Sequence, residues 1–223
     1  MTVVELKQVQ KSYRLGKVMV PALKGIDLSV DSGEFLILKG LSGSGKSTTL
    51  NLIGGMDWPD AGEVRVAGKL ISCMTDRELS QMRRHHIGFI FQSFNLVPVL
   101  NALENVEYPL KLQKIRDSRH LALEALAKVG LSDVIKHRPN ELSGGQIQRV
   151  AIARGIVAQP EIILADEPTA NLDSKTSEQI LELMLSLNRE QQLTFIVVTH
   201  HESVMKSASR VVEMKDGKLW RST

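Results

Sequence analysis

The sequence predicts an α/β fold around a mainly parallel sheet, and three observations support this. The runs EFLILK (34–39), EIILA (161–165) and TFIVVT (194–199) are almost continuously apolar, as expected of strands buried on both faces of a parallel sheet. Strand-like and helix-like segments alternate over most of the chain, which is the layering of an α/β fold. The stretch from about 93 to 157 interrupts that alternation. It lacks a strand pattern and carries helix-like pieces divided by Pro98, Pro109 and Pro139, so it reads as a helical subdomain inserted into the core.

Taken in order, strand patterns fall at 3–9, 26–30, 34–39, 63–67 (EVRVA) and 87–91 (IGFIF), then at 161–165, 194–199 and 210–214 (RVVEM). Each is a short apolar or alternating run. Helical patterns fall at 46–55, 76–84, 118–129, 144–158, 175–190 and 201–208. With 223 residues, 43% of them hydrophobic and 24% charged, a single domain is expected over 1–223. Residues 1–92 and 158–223 then form the α/β core and 93–157 the insertion.

The net charge of +3, from 28 Lys+Arg against 25 Asp+Glu, is small and scattered, so no nucleic-acid partner is expected. Cys73 is the only cysteine, which excludes an intramolecular disulfide and fits a reducing compartment. The N-terminus lacks the apolar h-region of a signal peptide. No apolar run reaches the roughly 18–20 residues that span a bilayer, so any membrane crossing is left to another chain. Neither Cys73 nor His85-His86 has companion ligands at metal spacing, and both read as structural, with Trp58 as a turn residue.

Directly after EFLILK stands Gly40-Leu41-Ser42-Gly43-Ser44-Gly45-Lys46-Ser47, followed by Thr48 and an apolar helical pattern. This is G-x-x-x-x-G-K-[ST] in the strand–loop–helix context that the motif needs. The glycines let the loop turn its N–H groups inward, and the helix start adds the positive end of its dipole. Lys46 would reach the β- and γ-phosphates, and the Ser47 hydroxyl would ligate Mg²⁺. Gly40, Ser42, Gly43, Ser44, Gly45, Lys46, Ser47 and Thr48 are therefore the expected site of a nucleoside triphosphate.

A second constellation follows in EIILADEPT. Asp166 and Glu167 end a buried strand at the carboxyl edge of the sheet, where ligands of open α/β sheets bind. Asp166 would hold the Mg²⁺ shell, and Glu167 is free to polarise an attacking water as general base. TFIVVT leads in the same way to His200, whose imidazole can donate to a γ-phosphate. Its neighbour His201 should point to the other side.

Residues 141–149, ELSGGQIQR, narrow the class. Leu142-Ser143-Gly144-Gly145-Gln146 holds no acid, base or reactive nucleophile. Its two glycines stand at a helix start, although glycine inside a helix costs about 1 kcal/mol against alanine. The run, which lies between the P-loop and the Asp-Glu pair at the end of the helical insertion, resembles the signature motif of ABC-type ATPases. The likeness runs the length of the chain. Gln92 in FIFQSFNL resembles the Q-loop glutamine, which in that family contacts Mg²⁺ and the attacking water. Asn171-Leu172-Asp173 resembles the D-loop at the dimer interface, and Thr199-His200 the switch histidine. Tyr13 in QKSYRLG stands where the family has an aromatic that stacks on adenine. GFIFQSFNLVPVLNALENVEYPL and ILADEPTANLDS are similar to the lipoprotein-releasing and macrolide-exporting branch. Two positions depart from the pattern: His201 replaces a common Asp, which removes a good helix N-cap, and Ala170 replaces a frequent Gly.

The resemblance implies a RecA-like P-loop core with an N-terminal antiparallel β region. It also implies ATP and Mg²⁺ as cofactors and a head-to-tail homodimer. In such a dimer the signature of one copy covers the γ-phosphate held by the other, with Ser143 Oγ and the Gly145 N–H donating to phosphate oxygens. It implies a separate membrane permease as the second partner, docking near residues 93–108, where Phe94, Leu96, Val97, Leu100, Leu103 and Val106 make an apolar run. Charge swaps at Glu104 or Glu107 are the natural test of that docking. The chain is then expected at the cytoplasmic face of the membrane as a peripheral subunit. Two alternatives remain: a soluble ABC ATPase acting on a macromolecular scaffold, and a cassette that binds ATP without turnover. The complete Lys46, Asp166, Glu167 and His200 set speaks against the second.

Overall fold

The structure, a computed structural model, describes residues 1–222. It begins with a long hairpin. β1 (Thr2–Leu15) and β2 (Val18–Asp31) pair antiparallel, with Leu6 opposite Leu28 and Tyr13 opposite Val20. The sequence pattern marks only 3–9 and 26–30 of these arms. Those inner halves send Val4, Leu6, Val9, Ile26, Leu28 and Val30 into the core, whereas Leu15, Val18 and Met19 at the outer end stand in solvent. A strand that buries nothing carries no burial pattern to read. β4 (Ala61–Val66) pairs with β1 and β5 (Lys69–Leu70) with β4, closing an antiparallel sheet ordered β2-β1-β4-β5.

The apolar runs make the second sheet. β3 (Phe35–Lys39), β6 (Ile87–Phe91), β7 (Ile162–Asp166), β8 (Thr194–Val198) and β9 (Arg210–Lys215) are parallel, and β10 (Lys218–Ser222) is antiparallel to β9. The order is β10-β9-β3-β8-β7-β6. β10 has no counterpart among the expected strands, although its turn was legible. Asp216 and Gly217 take positive φ values of 50° and 78°, as the Asp-Gly pair of a two-residue hairpin does.

Because side chains alternate along a strand, this sheet feeds two cores. Phe35, Ile37, Ile163, Ala165, Phe195 and Val197 face one core, and Leu36, Leu38, Ile162, Leu164, Ile196 and Val198 face the other. The second core is closed by the hairpin sheet with α1 (Lys46–Ile53) and α2 (Asp76–His86). The first is closed by α3 (Ala102–Leu112), α4 (Ser118–Lys128), α5 (Gly144–Ile156) and α6 (Ser174–Gln191). α7 is short, Glu202–Met205, against the expected 201–208. Its N-cap, His201, makes no side-chain capping bond.

α3 matches no expected helix, because Pro109 interrupts its pattern from inside. Its start was nonetheless written in Asn101 and Glu104. Asn101 Oδ1 accepts from the Glu104 N–H at 2.8 Å, and Glu104 Oε2 accepts from the Asn101 N–H at 2.9 Å, a capping box. α5 lies hard against the sheet at β6, where a Cβ on Gly88 would come within 2.1 Å of the Gly155 carbonyl oxygen. Among the described residues no helix is long and apolar enough to cross a membrane.

The strand order positions the site. β3, β8, β7 and β6 are neighbours and parallel, so their carboxyl ends share one edge. The loops leaving them carry Gly40–Ser47, Thr199-His200, Asp166-Glu167 and Gln92.

Candidate functional site

The loop after β3 can hold only glycine at its two ends. A Cβ on Gly40 (φ 149°) would lie 2.2 Å from the Met214 carbonyl oxygen, and one on Gly45 (φ 105°) would lie 2.7 Å from that of Ala22. The loop wraps a recess of about 250 Å³ walled by Ala22, Ser42, Gly43, Lys46, Ser47 and Glu167, among others. Lys46 is buried, and its Nζ donates to the carbonyls of Gly40 at 2.7 Å and Leu41 at 3.0 Å. Ser44 Oγ is buried with no partner among the described residues. No side chain caps α1, whose N-cap is Gly45, so the dipole end of that helix faces outward uncompensated. A buried ammonium and an uncapped helix start in one recess fit a multiply charged anion.

Ser47 Oγ lies 3.2 Å from Asp166 Oδ1 and hydrogen-bonds to it. Burial pushes the Asp166 carboxyl above its ordinary value, and the neighbouring Glu167 adds to this, while the Ser47 hydrogen bond and the Lys46 charge act the other way. A carboxylate held in that state favours a cation beside it. Among the described residues no cluster of three or more His, Cys, Asp or Glu could hold a metal. One hydroxyl plus one carboxylate fits Mg²⁺, which takes few protein ligands and fills the rest with phosphate and water.

Glu167 leaves β7 in the left-handed region at φ 44°, a strained conformation for a non-glycine residue. Its N–H donates to Val198 O at 3.0 Å, which ties the turn to β8. Its carboxylate walls the phosphate recess, and its Oε1 lies 3.2 Å from His200 Nε2. Of the two adjacent histidines, then, His200 is the one against Glu167. His201 instead donates its backbone N–H to Thr199 Oγ1 at 3.2 Å. The arrangement can take a proton from a water in the recess.

Ser143, Gly144, Gly145 and Gln146 open α5. Ser143 is the N-cap. Its Oγ accepts from the Gln146 N–H at 3.3 Å, and Gln146 Oε1 accepts from the Ser143 N–H at 2.9 Å. The hydroxyl proton of Ser143 remains available for a ligand. Leu142 packs against the helical core. The glycines also have a reason inside the chain that the sequence does not reveal. A Cβ on Gly145 would lie 2.7 Å from Thr176 Cγ2, and one on Gly144 would lie 3.1 Å from Leu172 Cδ2. The α5 start and the 171–173 turn thus share a surface hollow of about 380 Å³, lined by Ser143, Gly145, Asn171, Asp173 and Thr176 with their neighbours. That lining has no residue in common with the phosphate recess.

Residues 23–170 match the family model described as ABC transporter. This chain belongs to the ABC transporter family. An uncharacterized ABC transporter ATP-binding protein of Thermotoga maritima is 49% identical over 219 residues, covering 97% of this chain and 93% of the relative. The lipoprotein-releasing system ATP-binding protein LolD of Xanthomonas campestris is 45% identical over 219 residues, covering 97% and 92%. The macrolide export ATP-binding/permease protein MacB of Rhodopirellula baltica is 46% identical over 218 residues, which are 96% of this chain and 32% of that longer one. Among solved structures, a dimeric post-hydrolysis state of the cassette MJ0796 bound to ADP and Pi superposes with a TM-score of 0.90 at 47% identity, covering 99% of this chain and 97% of that one. The cassette is accordingly a transport ATPase subunit that binds and hydrolyses ATP. A soluble ATPase working on a macromolecular scaffold is not favoured.

The segment that follows β6 is clamped from two sides. Asn171 Nδ2 donates to the Gln92 carbonyl at 3.0 Å, and the Arg154 guanidinium of α5 donates to Phe94 O at 2.9 Å and Asn95 O at 2.6 Å. Both acceptor residues sit in the left-handed region, with φ 61° and 52°. Asp173 caps α6, accepting from the Thr176 N–H at 3.0 Å and from its hydroxyl at 2.6 Å. Arg154 was not singled out in the sequence, because an arginine on a helix usually signals only a solvated face. Gln148 was missed as well: both of its amide atoms are buried without a partner among the described residues. His86 pairs with Glu161 at 2.7 Å, and Cys73 is exposed.

Another hollow shares no lining residue with the recess beside the Gly40–Ser47 loop. It is a groove of about 490 Å³ between α2, β6, α3 and α5, with Met56, Phe89, Phe91, Tyr108 and Leu112 as apolar walls and Arg83 and Arg154 beside them. Of the apolar run expected to meet a permease, Leu103 and Val106 are buried in the core, and Phe94, Leu96, Val97 and Leu100 are half-buried. Exposed apolar surface is found instead at Val99, Tyr108 and Leu112. Neither acid of α3 is free for a partner. Glu104 belongs to the capping box, and buried Glu107 accepts from Ser118 Oγ at 2.9 Å and pairs with Lys111 at 2.9 Å. Lys111 first, with Ser118 helping against the cost of burial, holds the Glu107 carboxyl below its usual range. Charge swaps there would break α3 rather than test docking.

Proposed function

We propose that this cassette powers a separate membrane permease for export or lipoprotein release, working as a head-to-tail homodimer. Each ATP is held by one P-loop and covered by the signature of the other copy. The observation that carries this reading is the separation of the two anion-directed surfaces. The α5 start has a free Ser143 hydroxyl proton and helix N–H groups, yet its hollow shares no wall with the phosphate recess of its own chain. This separation supports a ligand supplied by a second copy. Relatives as similar as MJ0796 form dimers, and relatives named for lipoprotein release and macrolide export support the branch.

In the proposed cycle the P-loop N–H groups and Lys46 hold the β- and γ-phosphates, and Ser47, Asp166 and Gln92 would hold Mg²⁺. The chemistry it would supply there is neutralisation of charge on the phosphate oxygens. Glu167 accepts a proton from water as its oxygen bonds to the γ-phosphorus and the bond to the bridging oxygen breaks, leaving ADP and phosphate. His200, now against Glu167, donates to the γ-phosphate when nucleotide is present. Release of phosphate removes the ligand shared by the two copies, and the dimer opens. The opening is delivered to the permease through the groove flanked by Tyr108 and Leu112, which the Q-loop borders through Asn95. In this reading the working subunit sits peripherally on the cytoplasmic face of a membrane.

The variant Glu167→Gln, at saturating ATP, should bind nucleotide without turnover and sediment as a dimer. Glu167→Gln combined with Ser143→Arg should still bind ATP and sediment as a monomer. A double variant that dimerises as readily as the single one refutes the shared-ligand arrangement.

A further inference from the structure

The phenol of Tyr13 is anchored. Its hydroxyl donates to Asp57 Oδ2 at 2.9 Å. Asp57 is in turn fixed through its other oxygen, which accepts from Lys11 Nζ at 2.7 Å and from the Trp58 N–H at 2.7 Å. Lys11 Nζ also donates to Trp58 O at 2.8 Å, and it stands 5.2 Å from the centroid of the Tyr13 ring. Lys11 therefore neutralises Asp57 and covers one face of the ring. Asp57 belongs to the segment that follows α1, so the ring, carried by β1, is tied to the chain leaving the P-loop helix.

The position of this cluster bears on the nucleotide. Ala22, two residues along β2 from Val20, the cross-strand partner of Tyr13, walls the phosphate recess. Thr48, in the first turn of α1, walls the same recess and lowers the Tyr13 pKa through its hydroxyl, although burial and Asp57 raise it overall. The phenol therefore stays protonated and remains a donor.

We propose that Asp57, held by Lys11, is the positioning residue of the nucleobase seat. It fixes the Tyr13 ring so that the face not covered by Lys11 presents a stacking plane for the purine of a nucleotide whose phosphates occupy the P-loop recess. This rests on the reading of Tyr13 as the residue that stacks on the base. A tethered ring loses less rotamer freedom when the base lands on it than a free one does. The contribution falls on binding and not on the hydrolytic step, because neither Asp57 nor Lys11 lines the phosphate recess.

Calorimetric binding of MgATP and of magnesium tripolyphosphate, which has no base, tests this on the whole chain. Asp57→Ala and Tyr13→Phe should each weaken MgATP by about 3–10-fold. Both should leave tripolyphosphate binding unchanged and raise KM for ATP by more than they lower kcat. The double variant Tyr13→Phe/Asp57→Ala should bind MgATP no more weakly than either single one, because both remove the same tether. Asp57→Asn, which keeps an acceptor for the phenol, should recover part of the loss. A Tyr13→Ala variant that keeps wild-type MgATP affinity overturns the stacking assignment itself. If Tyr13→Ala weakens MgATP while Asp57→Ala does not, the positioning role alone fails. It fails equally if Asp57→Ala weakens tripolyphosphate as much as ATP, or if the two single losses add in the double variant.

Discussion

Gly145→Ala sets two known effects against each other, and the structure decides which one wins. Gly145 is helical, and alanine suits its backbone better, by up to about 1 kcal/mol in a helix interior and less in a first turn. The added methyl, however, would lie 2.7 Å from Thr176 Cγ2, roughly 1 Å inside the contact distance of about 3.5–4.0 Å at which carbon atoms attract. Thr176 cannot turn away cheaply. Its Oγ1 bonds Asp173 at 2.6 Å and its N–H bonds the same carboxylate at 3.0 Å, and a β-branched side chain has few rotamers. Overpacking of this kind costs about 1–3 kcal/mol, so Gly145→Ala should lose about 0.5–2 kcal/mol net, after the helix-propensity gain is subtracted. Thr176→Ser removes the opposing methyl and keeps the cap, so the pair Gly145→Ala/Thr176→Ser should regain most of that loss. Urea unfolding of the nucleotide-free chain measures both. A single variant as stable as wild type, or a pair no better than the single, refutes the argument. A stable pair that still hydrolyses ATP slowly would assign the glycine a second role toward the ligand.

Two further outcomes follow from the site. Burial keeps the folded Asp166 pKa above its ordinary 3.8, so its ionised form opposes folding at neutral pH, and this penalty fades as pH falls through the folded value and vanishes below the unfolded one. Without nucleotide, Asp166→Asn should therefore melt at a higher temperature than wild type at pH 7, with the gap closing toward pH 4; a gap that widens with acid contradicts this. Arg154→Met leaves the carbonyls of Phe94 and Asn95 without their charged donor, which should cost about 1.5–3 kcal/mol. Hydrogen exchange should show amides 92–97 opening faster, with the strands of the sheet unchanged, whereas unchanged exchange at 92–97 would show that Arg154 does not hold the segment after β6.

Much of the fold was legible because it rests on local rules. EFLILK, EIILA and TFIVVT became β3, β7 and β8 since a strand buried on both faces must be apolar throughout. The outer half of the hairpin, β10 and α3 were missed for separate reasons. The hairpin tip buries nothing, β10 is short and largely exposed, and Pro109 interrupts the pattern of α3. The last two carried readable signals in Asp216-Gly217 and in Asn101 with Glu104.

By itself, the sequence determined the elements whose chemistry is a matter of consecutive residues: the Gly40–Ser47 loop, the Asp166-Glu167 strand end and the helix that starts at Gly144-Gly145. Tertiary structure alone decided what those elements face. Only the order β3-β8-β7-β6 brings residues from 40 to 200 to one edge. Only packing shows that Glu104 and Glu107 are used inside α3, that Thr176 demands the glycine at 145, and that Asp57 and Lys11 hold Tyr13. The physical reason is that backbone turns, caps and burial patterns are short-range in sequence. Contacts between side chains tens of residues apart depend on strand order and register, which no single segment encodes.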